Sequence, residues 1–269
     1  MIELIYDLRS RLYLELIFVN EGPLHVGGER AEGDLTLPIF QVSINNEYKP
    51  IIPRTTLKGI LRKYAELLMK SLNFPNREEI IKDHERDHEN KAGSSEEINE
   101  LALRCPVCNL FGSKFYRARI KLTDAEPVSD YALFIKPGIK IDKKTRTIHE
   151  KYLFQVYSLS PGVKFRAILI YDNPLHLYRG AEDLYKIPLK IIVNILELWM
   201  THGILLGGHK TRGYGMTRLL GEESRGYLFN YEKMKNNNKI EDIVKSLQNP
   251  SPWLKPLKEF LKDLKKLIQ

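Results

Sequence analysis

Two cysteines and two histidines have the residue types and the spacing of a metal site. Cys105-Pro-Val-Cys108 holds two thiols that are too close in sequence for a comfortable structural disulfide. His84 and His88 would share one face of a helix. Together the four side chains predict a closed tetrahedral zinc site with a structural role, because no ligand position is left for water. The alternative is that the histidines are solvated and only the cysteines bind metal.

Asp34 is the candidate for acid–base or metal chemistry. It follows Gly33 in a loop that lies between a predicted strand and a helix whose start suits phosphate. A carboxylate at such a position is well placed for chemistry on a polyanion. The alternative interpretation is an ordinary turn residue, which is the usual role of an aspartate after a glycine.

A helix start rich in basic residues predicts the first phosphate-binding site. Pro53 ends the preceding strand, and Thr55 or Thr56 is expected to cap a helix. Free N–H groups at a helix start favour an anion. Three basic side chains lie near that start: Arg54, Lys58 and Arg62. A capped surface helix without a ligand is the simpler interpretation of these residues alone.

A glycine-rich segment, Gly207–Gly215 and called the glycine loop below, predicts the second phosphate-binding site. It carries His209, Lys210 and Arg212 beside Gly207 and Gly208. Glycines leave the backbone bare, so that its N–H groups can approach phosphate closely. A predicted hairpin adds a third set of basic residues at its tip, which are Lys143, Lys144 and Arg146. Basic hairpin tips are usually solvated, but they can also press against a nucleic-acid backbone.

The hydrophobic pattern predicts six elements that position these residues. Alternation of apolar residues predicts strands, and helical spacing predicts helices. The order is strand, helix, strand, strand, helix, strand, over residues 11–20, 56–71, 117–122, 164–171, 188–203 and 214–220. This order is that of an α+β, ferredoxin-like (RRM-like) βαββαβ core. The core is expected to have a zinc-bearing insertion, a projecting hairpin and a helical C-terminal tail.

The domain organisation follows from shifts in composition. Residues 1–225 are predicted to form the core, with the charged insertion at about 73–112 and the hairpin at about 134–153. Residues 226–269 form a helical extension with an apolar stripe, which is expected to dock on the body of the protein. A membrane or partner helix is the less favoured interpretation of that stripe.

Composition limits the class of protein. Hydrophobic residues make up 43% of the chain, which is enough to bury a core. The net charge of +8 favours a polyanionic partner. No apolar run is long enough to span a membrane, and no signal peptide is apparent. A reducing, cytoplasmic location is therefore expected.

Four segments together resemble the RAMP superfamily of CRISPR–Cas proteins, specifically the repeated backbone subunit of type III effector complexes. They are His25-Val-Gly-Gly28, Ile52-Pro-Arg-Thr-Thr-Leu-Lys-Gly-Ile-Leu-Arg62, Cys105-Pro-Val-Cys-Asn-Leu-Phe-Gly112 and the glycine loop. The Ile141-Asp-Lys-Lys-Thr-Arg146 hairpin and Ser160-Pro-Gly-Val-Lys-Phe165 are also similar to that subunit's thumb and the strand behind it. The resemblance covers about residues 10–220.

The resemblance implies a subunit that stacks with copies of itself along a CRISPR guide RNA, next to other effector-complex subunits. The thumb would kink one base aside. It also implies that Asp34 cleaves complementary target RNA with Mg²⁺ or Mn²⁺, and that the insertion holds structural Zn²⁺. Two departures stand out: Pro53-Arg-Thr-Thr56 replaces the family's common Pro-Gly-Ser-Ser, and the helical tail is long.

Three alternatives remain open. The first is a scaffold subunit that binds RNA without cutting it. The second is a guide-processing endoribonuclease of the same superfamily that needs no metal and uses His25 or His209 as general acid or base. The third is a generic RRM-like RNA binder, which is disfavoured because no stacking aromatic is evident on a central strand.

Overall fold

Helices and strands are mixed along the chain, in agreement with the predicted α+β class. The computed structural model describes residues 8–28, 36–44, 46–73, 76–88, 104–113, 116–138, 154–175, 186–231, 245 and 247–268. The strands are β1 (Ser10–Asn20), β2 (Thr36–Leu37), β3 (Gln41–Ile44), β4 (Glu47–Pro50), β5 (Ile120–Leu122), β6 (Glu126–Pro127), β7 (Leu133–Gly138), β8 (Phe154–Leu159), β9 (Lys164–Asp172), β10 (Ile204–Leu205), β11 (Met216–Leu219), β12 (Arg225–Asn230) and β13 (Lys255–Pro256). The helices are α1 (Arg54–Ser71), α2 (Arg77–His88), α3 (Pro106–Phe111), α4 (Lys186–Thr201) and α5 (Leu257–Ile268).

The main sheet is antiparallel and is built around β1. Strand β9 pairs with β1 along nearly its whole length. On the other side of β1, β12 pairs with its first half and β11 with its last residues. Strands β5 and β6 both pair with the outer edge of β9. The described strands of the sheet therefore follow the order β11–β1–β9–β5 through its centre.

Alternation along β1 explains why one face of the sheet is buried. Leu12, Leu14, Leu16 and Phe18 are fully buried, while the residues between them are only partly buried. Successive side chains of a strand point to opposite faces, so one face of β1 lies in the core. Each fully buried Leu contributes about 1.5–3 kcal/mol relative to an exposed position.

Helices α1 and α4 cover the buried face of the sheet. The apolar stripe of α4 is buried as predicted, including Ile191, Ile195 and Trp199. In α1, Leu57 and Leu61 are buried, whereas Leu67 is 56% exposed. The predicted helix at residues 188–203 ends two residues early, and Gly203 follows it with a φ of +77°.

Residues 251–268 of the C-terminal extension hold β12 from both faces. Trp253 stacks on Tyr227, with ring centroids 5.9 Å apart. On the core side, Phe260 of α5 lies so close that a Cβ at Gly226 would be 2.2 Å from its ring. Only a glycine leaves room for Phe260 at that point. The prediction that the helical tail docks on the body is confirmed.

A second sheet includes the first residues of the predicted hairpin. Strands β7 and β8 pair antiparallel, from Leu133↔Leu159 to Gly138↔Phe154, and β2 pairs parallel with β8. The chain between them, residues 139–153, lies outside the described residues. The predicted tip residues Lys143, Lys144 and Arg146 therefore lie outside them too.

Candidate nucleic-acid interface and metal centre

The start of α1 is closed by an aspartate from a distant part of the chain. The N-cap is Pro53, and no side chain caps the helix, so the prediction that Thr55 or Thr56 is the cap is wrong. Instead, Asp124 Oδ1 accepts a hydrogen bond from the Arg54 backbone N–H at 2.7 Å. Asp124 Oδ2 lies 3.7 Å from the Arg54 guanidinium. The chain thus supplies its own anion where phosphate was predicted.

Two further basic residues of α1 have different surroundings. Arg62 donates from Nε to Glu66 at 3.1 Å and from Nη1 to the Gly112 carbonyl at 3.0 Å, so it holds parts of the protein together. Lys58 is half-buried, and its pKa is lowered by burial and by the neighbouring charge of Arg62. Lys58 therefore remains a candidate for phosphate, while Arg62 has a structural role.

The glycine loop needs its glycines for contacts with its own chain. A Cβ at Gly207 would lie 2.2 Å from the His25 carbonyl oxygen, and one at Gly215 would lie 2.0 Å from the Leu206 carbonyl oxygen. Both glycines have positive φ angles, which L side chains rarely adopt. Gly208 donates its backbone N–H to His25 at 2.8 Å. The segment is therefore packed against the exit from β1.

A basic pocket of about 280 Å³ opens beside the glycine loop and is called the loop pocket below. Its lining consists of Lys136, Pro137, Gly138, Val156, His209, Arg212 and Tyr214, with no carboxylate among these residues. Lys136 Nζ lies 5.5 Å from the centre of the Tyr214 ring. Sequence reasoning missed Lys136 and Tyr214, although Tyr214 sits between two glycines of the loop. The pocket combines cationic groups with an aromatic surface, which suits a nucleotide.

His209, which lines the pocket, lies beside the buried His25. His25 is buried, and its Nδ1 lies 2.7 Å from the Tyr157 carbonyl, so Nδ1 carries the hydrogen of that bond. The ring centroids of His25 and His209 are 5.2 Å apart. Burial lowers the pKa of His209, and the positive charges of His25 and Arg212 lower it further. His209 is thus held in its neutral form near neutral pH.

Helix α1 and the glycine loop form one basic surface. Burial lowers the pKa of Lys210, and the charge of Lys63 on α1 lowers it further. Each of the two positive charges raises the free energy of the protonated form of the other lysine. A polyanion bound across Lys63 and Lys210 would offset this repulsion, so its binding would be favoured. The loop thus comes near α1 at Lys63, more than two helical turns beyond the helix start at Arg54.

Three of the four predicted zinc ligands come together in the structure. His84 Nδ1 lies 3.2 Å from Cys108 Sγ and 3.4 Å from Cys105 Sγ, and all three side chains are buried. Bond lengths of about 2.05 Å for Zn–N and 2.3 Å for Zn–S at a tetrahedral angle would separate such atoms by about 3.5 Å. His84, Cys105 and Cys108 therefore form a possible metal site. His88 ends α2, but its side chain lies outside the described residues.

The local sequence explains how the cysteines are presented. Cys105 is the N-cap of α3, with Pro106 at the first helical position, and its sulfur accepts from the Cys108 N–H at 3.5 Å. The hydrogen bond from Cys108 lowers the pKa of the Cys105 thiol against the opposing effect of burial, and His84 lowers it further. A thiolate is the form that binds metal.

Two further predictions concern Asp34 and the aromatic residues of the central strand. Asp34 lies outside the described residues, which resume at Thr36. On the central strand, Tyr13 is half-buried on the face opposite the core and pairs with Tyr227 on β12. Because Tyr13 is half-buried rather than exposed, it does not overturn the expectation that no stacking aromatic is evident on a central strand.

Comparison with models of known protein families gives a match that covers these motifs. A family model described as the RAMP superfamily matches residues 18–218, which is most of the chain. No curated protein gives a match. Among the described helices, none is long and apolar enough to cross a membrane.

Proposed function

Because the chain belongs to the RAMP superfamily, whose proteins are CRISPR-associated and bind RNA, we propose that it is a guide-RNA-binding backbone subunit of a type III CRISPR interference complex. Copies of itself and other effector subunits would be its protein partners. The sheet order β11–β1–β9–β5, with α1 and α4 as the intervening helices, supports a ferredoxin-like βαββαβ core.

The observation that carries this proposal is the loop pocket with its cationic lining. Lys136, His209 and Arg212 surround one opening, and Lys210 faces Lys63 from the adjoining surface. Such a surface would bind the phosphates of any RNA, while guide–target pairing would supply sequence specificity. Thr55, Thr56 and Lys58 would extend the contact along α1. Arg54 and Arg62 are expected to contribute less because Asp124 and Glu66 already engage them.

We further propose that Asp34 cleaves complementary target RNA with Mg²⁺ or Mn²⁺. Its support is the sequence position: a carboxylate on the loop that follows the exit from β1. The carboxylate would help to hold the metal or position the ribose 2′-OH, and phosphate oxygens and water would complete the coordination.

Cleavage is tested with labelled target RNA and a complex reconstituted on a guide. We expect cuts at regular intervals that vanish in Asp34→Asn while target binding persists. Asp130→Asn is the matched control, because Asp130 is an exposed carboxylate on another part of the surface. Cutting by Asp34→Asn would contradict the role of Asp34. Tight binding without cutting by the unmodified protein would leave the RNA-binding scaffold as the function.

The metal centre is proposed to hold structural zinc. His84, Cys105 and Cys108 would supply three ligands and His88 the fourth. The nitrogen–sulfur distances and the buried position of the described ligands fit this ion. Zinc would tie α2 to α3, whose residues are packed in the core.

One observation favours a second function, guide processing without metal. The rings of His25 and His209 lie beside each other, and His209, which lines the loop pocket, is partly accessible and has a lowered pKa. A neutral imidazole can accept a proton from a ribose 2′-OH. Cleavage of repeat RNA alone in the presence of a chelator, lost in His209→Asn, would support this function. Repeat RNA that stays intact would exclude it.

A further inference from the structure

One turn of α1 lies against the metal centre and presents a carboxylate to it. Glu66 Oε1 is 3.6 Å from His84 Nε2, on the opposite side of the ring from the two sulfurs. The same oxygen accepts the hydrogen bond from Arg62 Nε at 3.1 Å. His84 thus has its Nδ1 facing the cysteines and its Nε2 facing Glu66.

We propose that Glu66 is a positioning residue of the metal centre, which orients His84 so that Nδ1 points at the ion. This inference rests on the metal site of the proposed function. A histidine that binds metal through one nitrogen commonly donates the other N–H to a carboxylate, which fixes the tautomer and raises the basicity of the ligating nitrogen. With the ion bound, a small shift of the Glu66 side chain would turn the 3.6 Å separation between His84 Nε2 and Glu66 Oε1 into a hydrogen bond.

Arg62 connects the Glu66 carboxylate to residues 105–112, which are called the cysteine turn below. Its Nη1 donates to the Gly112 carbonyl at 3.0 Å, and the Gly112 N–H donates to the Cys108 carbonyl at 2.8 Å. A Cβ at Gly112 would lie 2.8 Å from the backbone of Ala118, so this turn has little freedom to move. Arg62 and Glu66 therefore hold both the cysteine turn and the histidine ligand.

The test is metal affinity, measured by competition of Zn²⁺ with a chromophoric chelator. Glu66→Ala is expected to lower the affinity by about 10- to 100-fold, and Glu66→Gln by less, because an amide oxygen still accepts a hydrogen bond. Glu85→Gln is the matched control. Glu85 follows His84 directly, but its carboxylate is directed at Lys70, 2.9 Å away, and is exposed.

Cobalt substitution separates positioning from ligation. The visible spectrum of bound Co²⁺ reports the ligand set, and it is expected to stay tetrahedral in Glu66→Ala while the affinity falls. A changed coordination spectrum would overturn the positioning role and make Glu66 a ligand. Unchanged Zn²⁺ affinity in Glu66→Ala would overturn the inference and leave the metal site intact. An unmodified protein that binds no Zn²⁺ would overturn the metal site itself.

Discussion

The start of α1 and the glycine loop carry similar basic residues but have different neighbours. At the helix start, Asp124 accepts from Arg54 and Glu66 accepts from Arg62, so carboxylates of the chain already occupy the places of a ligand. The described lining of the loop pocket contains Lys136, His209 and Arg212 and no carboxylate. Among the described residues, Arg54 and Arg62 of α1 are paired with carboxylates of the chain, whereas the lining of the loop pocket includes cationic and aromatic groups.

The largest expected effect is on the free energy of unfolding, when a glycine of the glycine loop is replaced and compared with a glycine of α1. Gly207→Ala should lower the free energy of unfolding by about 2–4 kcal/mol, because the new Cβ meets the His25 carbonyl at a positive φ. Gly59→Ala is the matched control on α1, where nothing lies within 4 Å of the new atom. It should stabilise the protein by about 0.5–1 kcal/mol. Urea denaturation measures both, and equal stabilities would show that the loop is not built as described.

A smaller effect is expected when the internal anion of α1 is neutralised. Asp124→Asn should lower the free energy of unfolding by about 0.5–1 kcal/mol, since a negative charge leaves the helix start. It should also raise RNA affinity and steepen its salt dependence by up to about one unit in the log–log slope, because phosphate can then use that site. Asp130→Asn makes the same change in net charge elsewhere. An equal gain in affinity from Asp130→Asn would mean that only net charge matters.

The smallest effect concerns proton uptake at the glycine loop. The pKa of His209 is lowered in the free protein by burial, His25 and Arg212, and a bound phosphate would raise it. At a pH between the His209 pKa of the free protein and that of the complex, RNA binding would add a proton to His209. RNA affinity should therefore rise as the pH falls through this window. The rise should be about threefold to tenfold, since one pKa unit corresponds to a factor of ten.

The control for this pH dependence is an exposed histidine at the end of α4. His209→Asn should flatten the pH profile of RNA binding, while His202→Asn should leave it unchanged, because the exposed His202 ring is hydrogen-bonded to its neighbour Thr201. The His25 and Tyr214 rings also face His209 and stay in both variants. A profile that remains steep in His209→Asn would assign the proton to another group.

Strong periodicity made much of the fold predictable from sequence. Strands β1 and β9 and helix α4 lie close to where the pattern put them, because long amphipathic segments bury one face whatever their neighbours. The grouping of Cys105 and Cys108 in a possible metal site was also predictable, since the Cys-x-x-Cys spacing is tied to local geometry. The weak strand predicted at residues 117–122 shortened to Ile120–Leu122, where pairing with β9 decides its extent.

The partners of the basic residues were not predictable in the same way. Asp124 reaches Arg54 across 70 residues of sequence, and this contact exists only because Ala125 and Ile52 form a bridge between their segments. Lys136 comes to Tyr214 through the pairing of β7 with β8. Such contacts depend on the tertiary fold, so a motif indicates its chemistry but not whether the site is already filled.

The most direct test compares Arg212→Gln with Arg54→Gln in RNA binding over a range of salt concentrations. A guide RNA and an unrelated RNA of the same length serve as ligands. Arg212→Gln should weaken both RNAs equally and reduce the salt slope by about one, while Arg54→Gln should change neither. A loss confined to one sequence, or a larger loss in Arg54→Gln, would contradict an RNA grip centred on the glycine loop.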